Sequence, residues 1–319
     1  MTVLEVLRAR QRIAPYILRT PLVASSWLSG ISGTPVSLKL ESLQVSSSFK
    51  SRGAFNAVIA RLERGGATRP RLVTASAGNH GRALAAAAQT FGLTVTVFTP
   101  ADAPQVKLAA IRRHGADLRP DARDYDEAEV QAKAFAQESG ADFISPYNDV
   151  DVIAGAATVA LEILEDAPDT RALVVPIGGG GLISGVAATA KAIDPAIDVT
   201  GVEVEASCAF QTSLRAGRLV PIVPGPTLAD GLGGNPDPQT ITFAFVQRFV
   251  DRIVTVSEPA LASAVACLVE SEHIVAEGAG AAAAAAIAAK KIELAGRRAV
   301  AIVSGGNIDR ARLASVIQK

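Results

Sequence analysis

The chain passes repeatedly from a short β-branched run, through a glycine- or asparagine-rich turn, into a helical pattern. RLVTAS (71–76) leads into GNHGRALAAAAQTFG, LTVTVFTP (93–100) into QVKLAAIRRHG, and ALVVPIGGGG (172–181) into LISGVAATAKAI. DVTGVEVE (198–205) and RRAVAIVSGGN (297–307) repeat the strand-to-turn step. Strands joined by helical crossovers are parallel βαβ units. The small-residue turns fall at the carboxyl ends of the strands, the edge at which open α/β sheets take their ligands. The predicted fold is α/β, with open, twisted, mostly parallel sheets and helices on both faces.

At 319 residues the chain is long for one core and short for three, which favours two lobes or one large α/β unit. Glycine, proline and charge density shift at 62–70 (LERGGATRP) and 145–149 (SPYND). A smaller, mobile lobe is therefore predicted over 67–148, and a larger lobe from 1–66 and 149–319. The segment 221–240 (PIVPGPTLADGLGGNPDPQT) reads as a long surface loop, and long loops without structure of their own are often functional.

Composition removes several function classes. With 49% hydrophobic and 19% charged residues the chain can bury a sizeable core, unlike a disordered segment. Its formal net charge is zero, so no basic excess draws in a phosphate backbone and nucleic acid is not the expected partner. Cys208 and Cys267 are the only cysteines and lie far apart, which suits a reduced, cytosolic setting. The N-terminus lacks the continuous apolar core of a signal peptide. GAGAAAAAAIAA (278–289) is too short to span a bilayer and reads as a helix packed closely through small side chains. No membrane association is expected.

Gly178, Gly179, Gly180 and Gly181 follow one strand and precede a helix. Four glycines let the backbone approach a ligand and turn its N–H groups toward one point beside a helix N-terminus, an anion site suited to phosphate. The plain alternative is a flexible turn. No Gly-Lys-Ser/Thr follows, so a nucleotide P-loop is excluded. Ser184 stands where a dinucleotide fingerprint needs its third glycine, although Glu203 ends the next strand near the place of a ribose-binding acid. Ser76, Ala77, Gly78, Asn79 and His80 lie between a strand and an alanine-rich helix, where free N–H groups can receive a carboxylate. A cap with a tight turn is the alternative. Ser304, at the end of AVAIV, faces the same sheet edge. Ser47 or Ser48 caps a predicted helix through 51–62, with Lys50 at its start. The helix dipole and burial both favour the neutral amine a Schiff base requires. Alone, Lys50 reads as a solvated surface charge; with a phosphate cup lacking nucleotide features, it points to an aldehyde cofactor carrying a phosphate.

The ordered set SSSFKSRGA, SAGNHG, PYNDVDVIAGAATVALEIL, VVPIGGGGLISG and VSGGN resembles the pyridoxal-phosphate enzymes of the tryptophan synthase β-type fold, most closely the threonine/serine dehydratase and serine racemase group. The likeness runs from Arg19 to Asn307. It implies that Lys50 carries pyridoxal 5′-phosphate and acts as the base at Cα. Phe49 would line the cofactor ring, Asn79 would bond the ring's 3′ oxygen, Gly178 to Gly181 would hold the phosphate and Ser304 would meet the pyridine nitrogen. Ser76 to His80 would grip the substrate carboxylate. It also implies a homodimer whose small lobe closes on an amino-acid substrate. The implied reaction eliminates water from a β-hydroxy amino acid, L-threonine or L-serine, giving a 2-oxo acid and ammonia. 3-Hydroxyaspartate or a β-aryl serine as substrate, serine racemisation and, in a different class, a nicotinamide-dependent dehydrogenase or a non-catalytic binding protein are the alternatives. Ala77 stands where serine racemases of this group carry the serine that serves the opposite face of Cα, so little racemisation and no base near Cα besides Lys50 are expected. Of the carboxylates that bind a divalent cation in some members, Glu203 matches the first, but Ala209 replaces the second. Hard cations need several oxygen ligands, so no metal is expected unless Glu205 compensates. Twelve residues follow Asn307, and a C-terminal regulatory domain is not expected.

Overall fold

The computed structural model describes residues 1–65 and 69–318; the expected lobe boundary at 66/67 lies outside the described residues. In chain order the strands are β1 (Leu22–Ala24), β2 (Val36–Leu40), β3 (Leu72–Ala75), β4 (Val95–Pro100), β5 (Asp117–Ala122), β6 (Asp142–Phe143), β7 (Ala172–Pro176), β8 (Asp198–Val204), β9 (Arg252–Val256) and β10 (Ala299–Val303). They form two sheets, with orders β1-β2-β10-β7-β8-β9 and β5-β4-β3-β6. Every pairing is parallel except β1 with β2. The α/β architecture read from the sequence is the one observed.

Each strand predicted from a β-branched run is central or next to the centre of its sheet. All five residues of β7 and of β10 are buried, as expected where helices cover both faces. Alternate residues feed separate cores. Ala172, Val174, Ala299 and Ala301 pack beneath the alanine helix Gly278–Ala288. Leu173, Val175, Val300 and Ile302 pack against the helices Val150–Asp166 and Gly181–Ile193. The strands without such a signal are β1, β5 and β9, which sit at edges, the short β6, also at an edge, and β2, which carries a charged residue. β5 contains Pro120 and alternates in exposure, and an edge is where a proline strand is tolerated.

The segment 221–240 has no regular structure apart from the 3₁₀ turn Asp230–Leu232. It is not wholly at the surface: Ala229 and Leu232 are buried, because the segment folds back over the glycine run. The helix Lys50–Gly65 starts one residue earlier and runs three residues further than the sequence reading. It serves both halves of the molecule, since Ala54, Phe55, Ala57 and Val58 enter the core beneath the smaller sheet. Its other side lies directly on the helix Val150–Asp166. A Cβ at Gly155 would stand 2.3 Å from the Arg52 carbonyl oxygen, so the two backbones touch only because glycine is there. That contact anchors the first turn of the Lys50 helix. Among the described residues no helix is long and apolar enough to cross a membrane.

Candidate active site

Lys50 is the first residue of its helix, and Ser48 Oγ accepts a 3.3 Å bond from the Lys50 N–H. Of the two serines offered as caps, Ser48 therefore fills the role. Ser47 instead takes a left-handed backbone, φ 57°, and its carbonyl accepts from the Gly306 N–H at 2.9 Å. Phe49 N–H donates to the Ser304 carbonyl at 3.1 Å. These bonds splice the Lys50 segment onto the carboxyl end of β10. The Lys50 Nζ donates to the Pro146 carbonyl at 2.8 Å and stands 5.0 Å from the centre of the Phe49 ring. Burial lowers its pKa to about 8, with the Glu277 carboxylate opposing. Its place at a helix N-terminus disfavours the charged form further.

The glycine run connects β7 to the helix Gly181–Ile193. Gly180 takes φ +85°, and there is no room for side chains along the run. A Cβ at Gly178 would lie 2.9 Å from the Gly231 carbonyl oxygen, and one at Gly179 would lie 2.3 Å from the Tyr147 ring. Thr242 Oγ1 donates to the Gly179 carbonyl at 2.8 Å, turning that oxygen outward. The first N–H groups of the following helix have no intrahelical partner and form one side of a cup suited to a phosphate dianion.

The Ser76–His80 turn meets this edge from the smaller sheet. Asn79 begins the helix Asn79–Thr90, so the N–H groups of Asn79 and His80 belong to its unpaired first turn. The His80 ring does not share that role. Its Nε2 lies 3.2 Å from the Ile144 carbonyl, and burial, helped by the Lys50 charge, depresses its pKa to about 3. A neutral ring donating to a carbonyl from Nε2 leaves Nδ1 only as an acceptor, and Nδ1 is buried without a partner. His80 can offer a carboxylate its backbone, not its imidazole.

Ser304 is buried at the end of β10, its hydroxyl making only a 3.3 Å bond to the Ala279 carbonyl. Glu203 is placed away from any acidic cluster. Its two oxygens accept the Phe210 and Gln211 N–H groups, both at 2.8 Å, so it caps the helix Ala209–Ala216, and burial raises its pKa to about 7. Among the described residues no group of three His, Cys, Asp or Glu side chains could hold a metal ion.

Four contributors were missed in the sequence: Glu277, Tyr147, Thr242 and Arg82. Glu277 is buried, accepts a 2.6 Å bond from Asn79 Nδ2 and has its pKa raised to about 7 by burial. Lys50 is thus not the only titratable group at this centre: Glu277 acts on Lys50, and Lys50 on His80. The local signal for Glu277 was a single acid heading an otherwise all-small helix, AEGAGAAAAAA. Tyr147, Thr242 and Arg82 carried none, because their roles come from packing across the chain.

A neutralisable, half-buried amine, a side-chain-free anion cup and a hydroxyl lie at the carboxyl edge of the larger sheet, with an asparagine from the smaller sheet beside them. Such a set of groups is suited to a phosphorylated aldehyde cofactor. The residues fit that group, since the run is bare backbone beside the free N–H groups of a helix start, and a Cβ at Gly178, Gly179 or Gly180 would collide with Gly231, Tyr147 or Phe210 and displace that backbone. The sequence match agrees: residues 13–305 match the pyridoxal-phosphate dependent enzyme family, and the chain belongs to it. It is 41% identical to the L-threonine ammonia-lyase of Thermotoga maritima, over 100% of this chain and 79% of that protein. It superposes on the processed form of threonine deaminase isoform 2 from Solanum lycopersicum with a TM-score of 0.91 at 31% identity, covering 99% and 91% of the two chains. It superposes on maize serine racemase with a TM-score of 0.91 at 33% identity, covering 98% and 96%.

Proposed function

We propose that this chain is a pyridoxal-phosphate-dependent ammonia-lyase that converts L-threonine and L-serine to the 2-oxo acid and ammonia. The observation that carries the reading is the half-buried Lys50 amine, its pKa lowered to about 8 by desolvation, beside a glycine run whose backbone has no room for side chains. The relatives named for threonine support the substrate class. When bound, pyridoxal phosphate supplies the electron sink for carbanion chemistry and a carbonyl that exchanges amines. The protein supplies the rest. Lys50 would anchor the cofactor and, with its amine free, would take the Cα proton. The backbone of Ser76–His80, with Ala77 and Gly78 at its tip, receives the carboxylate. Gly178–Gly181 would hold the phosphate, Phe49 would flank the ring, Asn79 would bind its oxygen, and the Ser304 hydroxyl would meet its nitrogen. Water leaves across Cα–Cβ and one water returns on hydrolysis of the enamine, so the net products are one 2-oxo acid and one ammonia.

Racemisation is the second reading, because serine racemases are among the structural neighbours. Ala77 speaks against it: a methyl group exchanges no proton. The enzyme is further read as a cytosolic homodimer whose smaller sheet, residues 67–148, closes over the substrate. Exposed Leu18, Leu43 and Val45 support the dimer. They are drawn together by the Gln44 amide, which bonds both the N–H and the carbonyl of Leu18 at 2.8 Å.

The experiment is a panel of β-hydroxy amino acids, scored for oxo-acid release and for D-isomer, on yellow protein whose colour is fixed by borohydride. Threonine and serine should lead the panel, with the label on Lys50. A label elsewhere, or turnover retained in Lys50→Ala, rejects the reading. D-Serine forming as fast as pyruvate rejects the lyase assignment.

A further inference from the structure

Arg82 Nη1 donates to Asn307 Oδ1 at 2.6 Å, Asn307 Nδ2 to Asn79 Oδ1 at 2.7 Å, and Asn79 Nδ2 to Glu277 Oε1 at 2.6 Å. The four residues alternate between the halves of the molecule. Arg82 and Asn79 lie on the helix Asn79–Thr90 beside the smaller sheet, while Asn307 and Glu277 flank β10 of the larger one. We propose that these four side chains form a one-way hydrogen-bond relay across the two lobes, which sets the orientation of the Asn79 amide and so makes Asn79 a donor to the bound cofactor. The proposal rests on the reading of Asn79 as a cofactor ligand and goes beyond it by assigning positioning roles to Arg82, Asn307 and Glu277.

The direction follows from the two ends. A guanidinium has donors only, which fixes the direction at the Arg82 end, and Glu277 in its ionised form, above its pKa of about 7, has acceptors only. Facing Arg82, Asn307 must present its oxygen. Its NH₂ then points the other way, satisfied by Asn79 Oδ1 and by the Ser46 carbonyl at 2.9 Å. Asn79, with its oxygen occupied, must turn its NH₂ toward Glu277. One N–H of that NH₂ meets Glu277, and among the described residues the second has no protein partner. Turning the Asn79 amide over would set oxygen against carboxylate and NH₂ against NH₂, losing two bonds in a partly buried place, where unmet polar groups are costly. An asparagine can serve a ligand as donor or acceptor; here the relay selects the donor. Because every link crosses between lobes, the selection is complete only when they are closed.

Three holoenzyme variants test it, read by the cofactor's absorption, the melting temperature and borohydride labelling of Lys50. Asn307→Asp keeps the acceptor toward Arg82 but turns a second acceptor on Asn79, demanding the reversed amide. A reversed Asn79 presents an acceptor to the ring oxygen and favours its protonated form, so intensity should pass from the visible band to the near-ultraviolet. Adding Glu277→Gln to Asn307→Asp lets both links made by Asn79 run backwards, while Arg82 still donates to position 307. The double variant should recover part of the lost melting temperature while keeping the spectral change. A merely structural network would restore stability and spectrum together, and that result overturns the relay. Arg82→Met, at the partly exposed end, should give a smaller change that Arg82→Lys, again donor-only, reverses. An unchanged spectrum in Asn307→Asp and Arg82→Met, with Lys50 still labelled, also overturns it. Failure of the unsubstituted enzyme to label at Lys50 would instead remove the cofactor reading on which it rests.

Discussion

Arg52 grips Glu41 with two parallel bonds, Nε to Oε2 at 2.7 Å and Nη2 to Oε1 at 2.8 Å, with neither side chain exposed. On its other side Arg52 bonds Glu162 at 2.6 and 2.8 Å, and Lys39 Nζ meets the same carboxylate at 2.6 Å. Two cations and two anions thus cancel inside the protein, two residues beyond Lys50. Breaking such a group strands a buried charge at a cost of about 3–5 kcal/mol. Arg52→Met should lose about that much in urea denaturation and should also impair cofactor retention by loosening the first turn of the Lys50 helix. Arg52→Lys should recover little, because a point charge cannot reproduce the two-sided fork. Near-complete recovery by lysine would contradict this account.

The Lys50 amine predicts a pH signature in the cofactor-free protein. Folded, it loses its proton at about pH 8; its ordinary value is 10.5. Between those values the unfolded chain holds more protons, so stability rises with pH across that window. Below it, the folded state carries a partly desolvated charge. Cofactor-free Lys50→Ala should therefore melt a few degrees above the unsubstituted protein at neutral pH, with the margin shrinking from about pH 8 upward. A margin that does not change with pH would show that the amine is hydrated in the folded state.

Gly179→Ala places a methyl group against the Tyr147 ring. Cofactor affinity should fall at least tenfold, about 1.4 kcal/mol, as read by titrating the cofactor-free enzyme. Gly30→Ala, where nothing lies within 4 Å, is the control and should bind normally.

Lys133 bonds Asp237 at 2.7 Å and Glu129 at 2.8 Å, and Lys107 pairs with Asp230. Both pairs reach from helices beside the smaller sheet to the 221–240 segment. They are partly exposed, and such pairs contribute about 0.2–1 kcal/mol. Lys133→Ala should raise KM for the amino acid by at most about fivefold, with a comparable effect of added salt on the unsubstituted enzyme. A larger fall confined to kcat would place Lys133 in the chemistry instead.

Leu43→Asp with Val45→Asp should convert a dimer to monomers in sedimentation without lowering the melting temperature, since both residues are half exposed. Dimers persisting in this variant would put the interface elsewhere.

The sequence alone determined the elements whose physics is local. Buried parallel strands are β-branched runs, and a backbone that must approach an anion is a run of glycines, so β7, β10 and the cup at 178–181 were legible in order. Lys50 was legible only in company, because a lysine at a helix start is ordinary until a phosphate site lies nearby. Tertiary structure decided what depends on distant neighbours. It turned the His80 ring away from the substrate side by giving its Nε2 the Ile144 carbonyl. It spent both oxygens of Glu203 on a helix N-terminus. It brought Glu277, 198 residues from Asn79, within 2.6 Å of it. No local pattern encodes these, because a polar side chain's role is set by which donor or acceptor the fold leaves opposite it.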